Sequence, residues 1–163
     1  TSTKCGRQGT AFSRSLELKK YIKSLKLRLN RWSQNNDGVP MGTLRLVFVG
    51  HSAGGSALKA AAAEGSLCAL RPEAIVFSDA SYGRWLDKTW KSCVKDVGTS
   101  LHILVRKWDK PHKNAERVIR RINDRQFMPN TDVHYQVLDR KKWTHGKIGE
   151  NVFMLTKLFP PGC

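Results

Sequence analysis

Hydrophobic and polar positions along this chain switch between two periods. From Phe12 to Trp32 the apolar residues Leu18, Tyr21, Ile22, Leu25, Leu29 and Trp32 recur at helical spacing, with lysines and arginines between them. That spacing predicts an amphipathic helix. The segment Asn35-Asn36-Asp37-Gly38-Val39-Pro40 interrupts it. Leu44-Arg45-Leu46-Val47-Phe48-Val49 is then almost continuously apolar up to Gly50. A strand buried on both faces of a parallel sheet has this pattern. From Ala57 to Glu64 strong helix formers dominate, and Gly65 stands where a C-cap belongs.

The alternation repeats to the end of the chain. Ala74-Ile75-Val76-Phe77 is a second buried strand ending at Ser78-Asp79, and the stretch around Trp85, Leu86 and Trp90 is helical in pattern. Leu101 to Val105 makes a third strand and Asn114 to Ile122 a helix, with Ala115, Val118, Ile119 and Ile122 on one face. Val133 to Leu138 is a fourth strand, and Val152 to Phe159 a closing helix stopped by Pro160-Pro161-Gly162. Strands alternating with helices over short connections predict an α/β fold, a parallel sheet covered by helices on both faces. No repeat or low-complexity linker divides the chain. A single domain is expected over 1–163, with an N-terminal arm at 1–11 and a core at 12–159.

Composition narrows the class. Of 163 residues, 40% are hydrophobic and 26% charged, the balance of a folded globular chain rather than a disordered one. No apolar run approaches the ~20 residues of a membrane span. Lysine and arginine total 29 against 13 acidic residues, a net charge of +16. Such a field concentrates polyanions: nucleic acid, acidic lipid headgroups or acidic wall polymers. The positives are spread over Lys19, Lys20, Lys23, Lys26, Arg28 and Arg31, over Arg117, Arg120, Arg121 and Arg125, and over Arg140, Lys141 and Lys142. No DNA- or RNA-binding fingerprint accompanies them, so no specific nucleic-acid partner is expected. Four cysteines at 5, 68, 93 and 163 lack CxxC spacing, which points away from zinc and towards disulfides in an oxidising compartment. Of the three possible pairings, Cys5–Cys163 with Cys68–Cys93 would pin both termini. The chain begins with Thr1 and reads as a processed or trimmed product, secreted or periplasmic.

The chemistry lies at Gly50-His51-Ser52-Ala53-Gly54, a GxSxG motif between a buried strand and an Ala-rich helix. A nucleophilic serine must sit on a sharp strand-to-helix turn, its hydroxyl above the sheet edge. Small residues two before and two after it let neighbouring backbone approach. The N–H of Ala53, at the helix start, is then an oxyanion donor favoured by the helix dipole.

His145 is the expected base. It follows the last strand in Trp143-Thr144-His145-Gly146-Lys147, and parallel-sheet enzymes place reacting groups at the carboxyl ends of strands. His51 adjoins Ser52 and is expected to pack locally; His102 and His134 lie in strands, towards one sheet face; His112 is expected to be solvated. The orienting acid is Asp79 or Asp109, since both stand between Ser52 and His145 in the chain. Asp109 has Lys107 and Lys110 as neighbours, the setting of an exposed turn, whereas Asp79 follows a buried strand, as a triad acid should. No cofactor or metal is called for. Trp85, Trp90, Trp108, Trp143 and Tyr82 either line a cleft or pack.

The run Val47-Phe48-Val49-Gly50-His51-Ser52-Ala53-Gly54-Gly55, with Asp79 after a strand and Thr144-His145-Gly146 before the last helix, resembles the core of the α/β-hydrolase superfamily over residues 12 to 159. The resemblance implies acyl transfer through a Ser-His-Asp triad and an acyl-enzyme, cleaving an ester or amide. It also implies several strands before the elbow, which this chain lacks. Its first strand is therefore expected to expose an apolar edge. Either an upstream segment, cleaved but retained as a second chain, covers that edge, or Thr1 to Ala11 folds over it, with Gly6, Gly9 and Thr10 as backbone donors. A catalytically silent polyanion-binding module on the same scaffold is the alternative function. A nucleotide-binding domain is weaker, because neither GxxxxGK[ST] nor GxGxxG occurs.

Overall fold

The structure is a computed structural model and describes residues 18–35, 45–94, 98–124 and 132–158. The expected arm at 1–11, the helical residues 12–17, the break after Asn35, Leu44, and Cys5 and Cys163 with their pairing lie outside the described residues.

In chain order the elements are α1 (Leu18–Asn35), β1 (Val47–His51), α2 (Gly54–Ala63), α3 (Ser66–Ala69), β2 (Ala74–Ser78), α4 (Trp85–Thr89), β3 (Ser100–Arg106), α5 (Lys110–Asp124), β4 (Val133–Leu138), α6 (His145–Glu150) and α7 (Val152–Thr156). The strands form one sheet in the order β1-β2-β3-β4, every pair parallel. The α/β class read from the hydrophobic pattern is the class observed. Each crossover is a helix, so all four strands run the same way and all four carboxyl ends meet at one side of the molecule.

Strand alternation divides the core between two faces. On one face Ile75, Phe77, Leu101, Ile103 and Val105 pack beneath helices α1 to α5, with Leu58, Leu67, Leu86 and Val118 as the helical partners. On the other, Val76, Leu104 and Leu138 meet Ile148 of α6 and Val152 of α7. β2 is buried throughout, as expected for a central strand covered on both faces.

Helix boundaries differ from the expected ones at several points. α5 begins at Lys110, four residues before the expected Asn114, because Pro111 falls in its first turn, where the missing N–H costs no hydrogen bond. His145, in the connection after the last strand, opens a further helix, α6, whose N-cap Thr144 accepts from the Lys147 N–H at 3.2 Å. The closing helix ends at Thr156 rather than Phe159, with Lys157 left-handed at φ 53°. α4 continues into a single π turn, Trp90–Val94, which carries Cys93. Cys93 and Cys68 of α3 form a disulfide pair with Cα atoms 5.1 Å apart, the internal pairing expected.

Candidate active site

The elbow is built from close approaches that only glycine permits. A Cβ on Gly50 would lie 2.6 Å from Leu58 Cδ1 and 3.0 Å from the Gly54 carbonyl, so the strand can turn directly into α2. The second crowded glycine is Gly55, whose Cβ would meet the Ala80 carbonyl oxygen at 2.5 Å. A Cβ on Gly54, two after the serine, would meet nothing within 4 Å among the described residues. The expectation of a small residue at that position is therefore corrected: the constraint sits one residue further on, where α2 crosses the β2 exit.

Ser52 adopts φ 52°, a left-handed conformation that a non-glycine residue enters at a cost of about 1–3 kcal/mol. Its N–H donates to the Ser78 carbonyl at 3.2 Å, which ties the turn after β1 to the end of β2. Ala53 is the N-cap of α2, with helical φ and ψ, so its N–H stands at the start of a ten-residue helix. Asp79, the residue after Ser78, is also left-handed at φ 47°, and Trp108 after β3 at φ 72°. Three left-handed non-glycine residues thus lie just beyond three consecutive strands, on the side of the sheet where the carboxyl ends meet.

Asp79 is fully buried. Its Oδ2 accepts from His145 Nδ1 at 2.6 Å and from Arg106 Nε at 2.9 Å. Because a carboxylate only accepts, the proton of the neutral ring sits on Nδ1, and Nε2 keeps its lone pair. The His145 side chain is about one-third exposed (35%), so that lone pair belongs to a group solvent and ligands can reach. Asp79 Oδ1 is buried with no hydrogen-bond partner among the described residues.

The other candidate acid, Asp109, is held elsewhere. Arg106 Nη2 lies 2.6 Å from its Oδ2 and Arg140 Nη1 3.5 Å from its Oδ1. Arg106 therefore spans both carboxylates, Asp79 through Nε and Asp109 through Nη2. Of the two acids left open, Asp79 is the one brought to His145.

His51 packs as expected, and its partner is informative: its ring lies against His145 with centroids 4.5 Å apart. His51 Nδ1 is 2.9 Å from the Ser78 carbonyl, and Gly149 of α6 presses on the ring from behind, leaving no room for a Cβ. Burial, then the neighbouring His145, lowers the pKa of His51, which favours its neutral form beside that ring. His51, the chain neighbour of Ser52, is thus in direct contact with His145. The Ser52 hydroxyl itself has no hydrogen bond among the described residues.

The remaining histidines lie outside this site. His102 and His134 stack at 4.3 Å on the sheet face that α6 and α7 cover, the shared face expected of them. His112 is not solvated. It accepts from the Trp108 N–H at 3.1 Å and pairs with Glu116, because α5 starts early enough to put it in the first turn.

Sequence reasoning missed Arg106. An arginine ending an apolar strand, between two candidate acids, was the available signal. Among the aromatics, Trp90 is buried and Trp85 and Trp143 pack against the two cores, while Trp108 is exposed beneath Lys107 Nζ, 5.0 Å from its ring centre. Burial, and then the Asp79 charge, raises the pKa of Tyr82. Among the described residues no group of three or more His, Cys, Asp or Glu could hold a metal ion. Compared with protein-family models, with curated proteins and with solved structures, the chain matches none.

Proposed function

We propose that the protein is a serine hydrolase in which Ser52 is the nucleophile, His145 the base and Asp79 the orienting acid. The observation that carries this reading is the 2.6 Å contact between His145 Nδ1 and the buried Asp79 carboxylate, one residue from the carbonyl that anchors Ser52. In the first half-reaction His145 Nε2 takes the hydroxyl proton as Ser52 Oγ bonds to a substrate carbonyl carbon. The tetrahedral adduct collapses, and His145 returns the proton to the departing alcohol or amine. Water, deprotonated by the same nitrogen, then releases the acid. The Ala53 N–H faces the developing oxyanion at the start of α2.

The outer edge of β1 has no neighbouring strand among the described residues. A strand from an upstream segment retained as a second chain would pair there and bring a second oxyanion donor. Intact mass of the purified protein, with and without reductant, tests for such a chain. The net charge of +16 supports an acidic or surface-bound ester or amide, and the Cys68–Cys93 pair supports an oxidising, extracytoplasmic compartment.

Pre-steady-state hydrolysis of a p-nitrophenyl ester tests the enzyme reading. An acyl-enzyme gives a burst of about one nitrophenolate per chain, abolished in Ser52→Ala. Salt-sensitive binding of an acidic polymer with no burst on any ester would leave the scaffold as a silent binding module and overturn the proposal.

A further inference from the structure

The charge of α1 is one-sided. Its sequence, Leu18–Asn35, holds lysine at 19, 20, 23 and 26 and arginine at 28 and 31, and no acidic residue at all. Only Leu18 and Ile22 are buried against the core; Leu29 and Ser33 are half-buried, and the rest of the described side chains face solvent. Yet this outer surface is not simply polar. Tyr21 is 57% exposed, Leu25 37%, Leu27 52% and Trp32 55%. Tyr21, Leu25, Arg28 and Trp32 follow one another at intervals of four, three and four residues, one continuous stripe along the helix beside the buried one.

We propose that α1 seats the protein on an anionic lipid surface. Aromatic and leucine side chains that water disfavours enter the headgroup boundary, while lysine and arginine stems lie along it with their charges at the phosphates. No described helix is long and apolar enough to cross a membrane, so the helix lies in the plane of the surface. Two other occupants fit less well. A nucleic-acid backbone supplies the counter-charge but no apolar phase for Tyr21 and Leu25. A second copy of the same face brings like charges together, with no carboxylate on α1 to offset them. The overall charge of +16 acts in the same direction as the helix. This inference stands on α1 alone and is independent of the hydrolase proposal.

Co-sedimentation of the full chain with vesicles tests it. The protein is expected to bind an equal mixture of phosphatidylcholine and phosphatidylglycerol, to release in high salt, and to ignore pure phosphatidylcholine. Tyr21→Ser with Leu25→Ser, and separately Arg28→Glu with Arg31→Glu, should each weaken binding by about tenfold or more, with helicity unchanged. Quenching by brominated lipid, read as the difference between the parent and Trp32→Phe, reports insertion while the stripe stays apolar. Absence of anionic-vesicle binding would overturn the proposal. So would serine variants that bind as tightly as the parent, or a parent dimer that those variants dissociate.

Discussion

His145 Nδ1 and Asp79 Oδ2 meet at 2.6 Å across 66 positions of sequence, because the ends of β2 and β4 emerge on the same side of the sheet. Strand β3 lies between them and contributes Arg106 to the same oxygen at 2.9 Å. The histidine of the last connection is thus oriented by the acid of the second strand, two strands away from its own.

This arrangement separates the two candidate acids experimentally. Asp79→Asn keeps the shape but removes the charge that fixes the His145 tautomer, and should lower the rate of ester hydrolysis by about 10⁴-fold. Asp109→Asn, which loses only contacts to Arg106 and Arg140, should cost less than about tenfold, since it does not touch the imidazole. Comparing kcat for the two variants on one activated ester decides it.

Arg106 supports Asp79 in stability as well as in position. Replacing it with methionine leaves the buried carboxylate with His145 alone. The expected loss is about 2–3 kcal/mol, below the ~3–5 kcal/mol of a fully buried pair because the Arg106 side chain is one-fifth exposed. Urea unfolding checks this. An unchanged midpoint would mean that the carboxylate is satisfied without the guanidinium.

The elbow glycines should respond oppositely to alanine. Gly55→Ala drives a methyl into the Ala80 carbonyl oxygen, a backbone atom with little freedom to move, and should destabilise the fold by about 2–3 kcal/mol. Gly54→Ala meets open space and should be neutral, or gain up to about 1 kcal/mol from helix propensity. Thermal unfolding of both variants gives the answer.

His102 makes stability depend on pH. Burial, and then the stacked His134, lowers its pKa from 6.5 to about 4, against a partial upward pull from Asp132. The unfolded chain therefore takes up a proton that the folded chain refuses. The His102 contribution is complete above pH 6.5 and is lost as pH falls towards 4, a change on the order of 3 kcal/mol. In His102→Gln, unfolding free energies measured across that window should fall less steeply than in the parent.

The fold class was legible because its signal is long: four apolar runs alternating with helical periods have few other solutions. The same pattern put Ser52 directly after β1 and His145 in the connection that follows β4. The choice between Asp79 and Asp109 was not. Both follow strands and both contact Arg106; what separates them is the His145 side chain, which reaches Asp79 alone from α6, 66 positions away in sequence. The early start of α5 was hidden because Pro111 reads as a breaker when it can equally open a helix. Gly55 was obscured by its neighbour Gly54, since crowding at a glycine depends on the crossing of another segment, here Ala80.

The central claim is that the Ser52 hydroxyl and the His145 imidazole act as one unit, and covalent labelling by a fluorophosphonate measures it most directly. The account predicts a single adduct on the peptide carrying Ser52, absent in Ser52→Ala and slowed at least about 10³-fold in His145→Ala. Labelling of Ser52 at the same rate with and without the imidazole, or no adduct on Ser52 in folded protein, would contradict it.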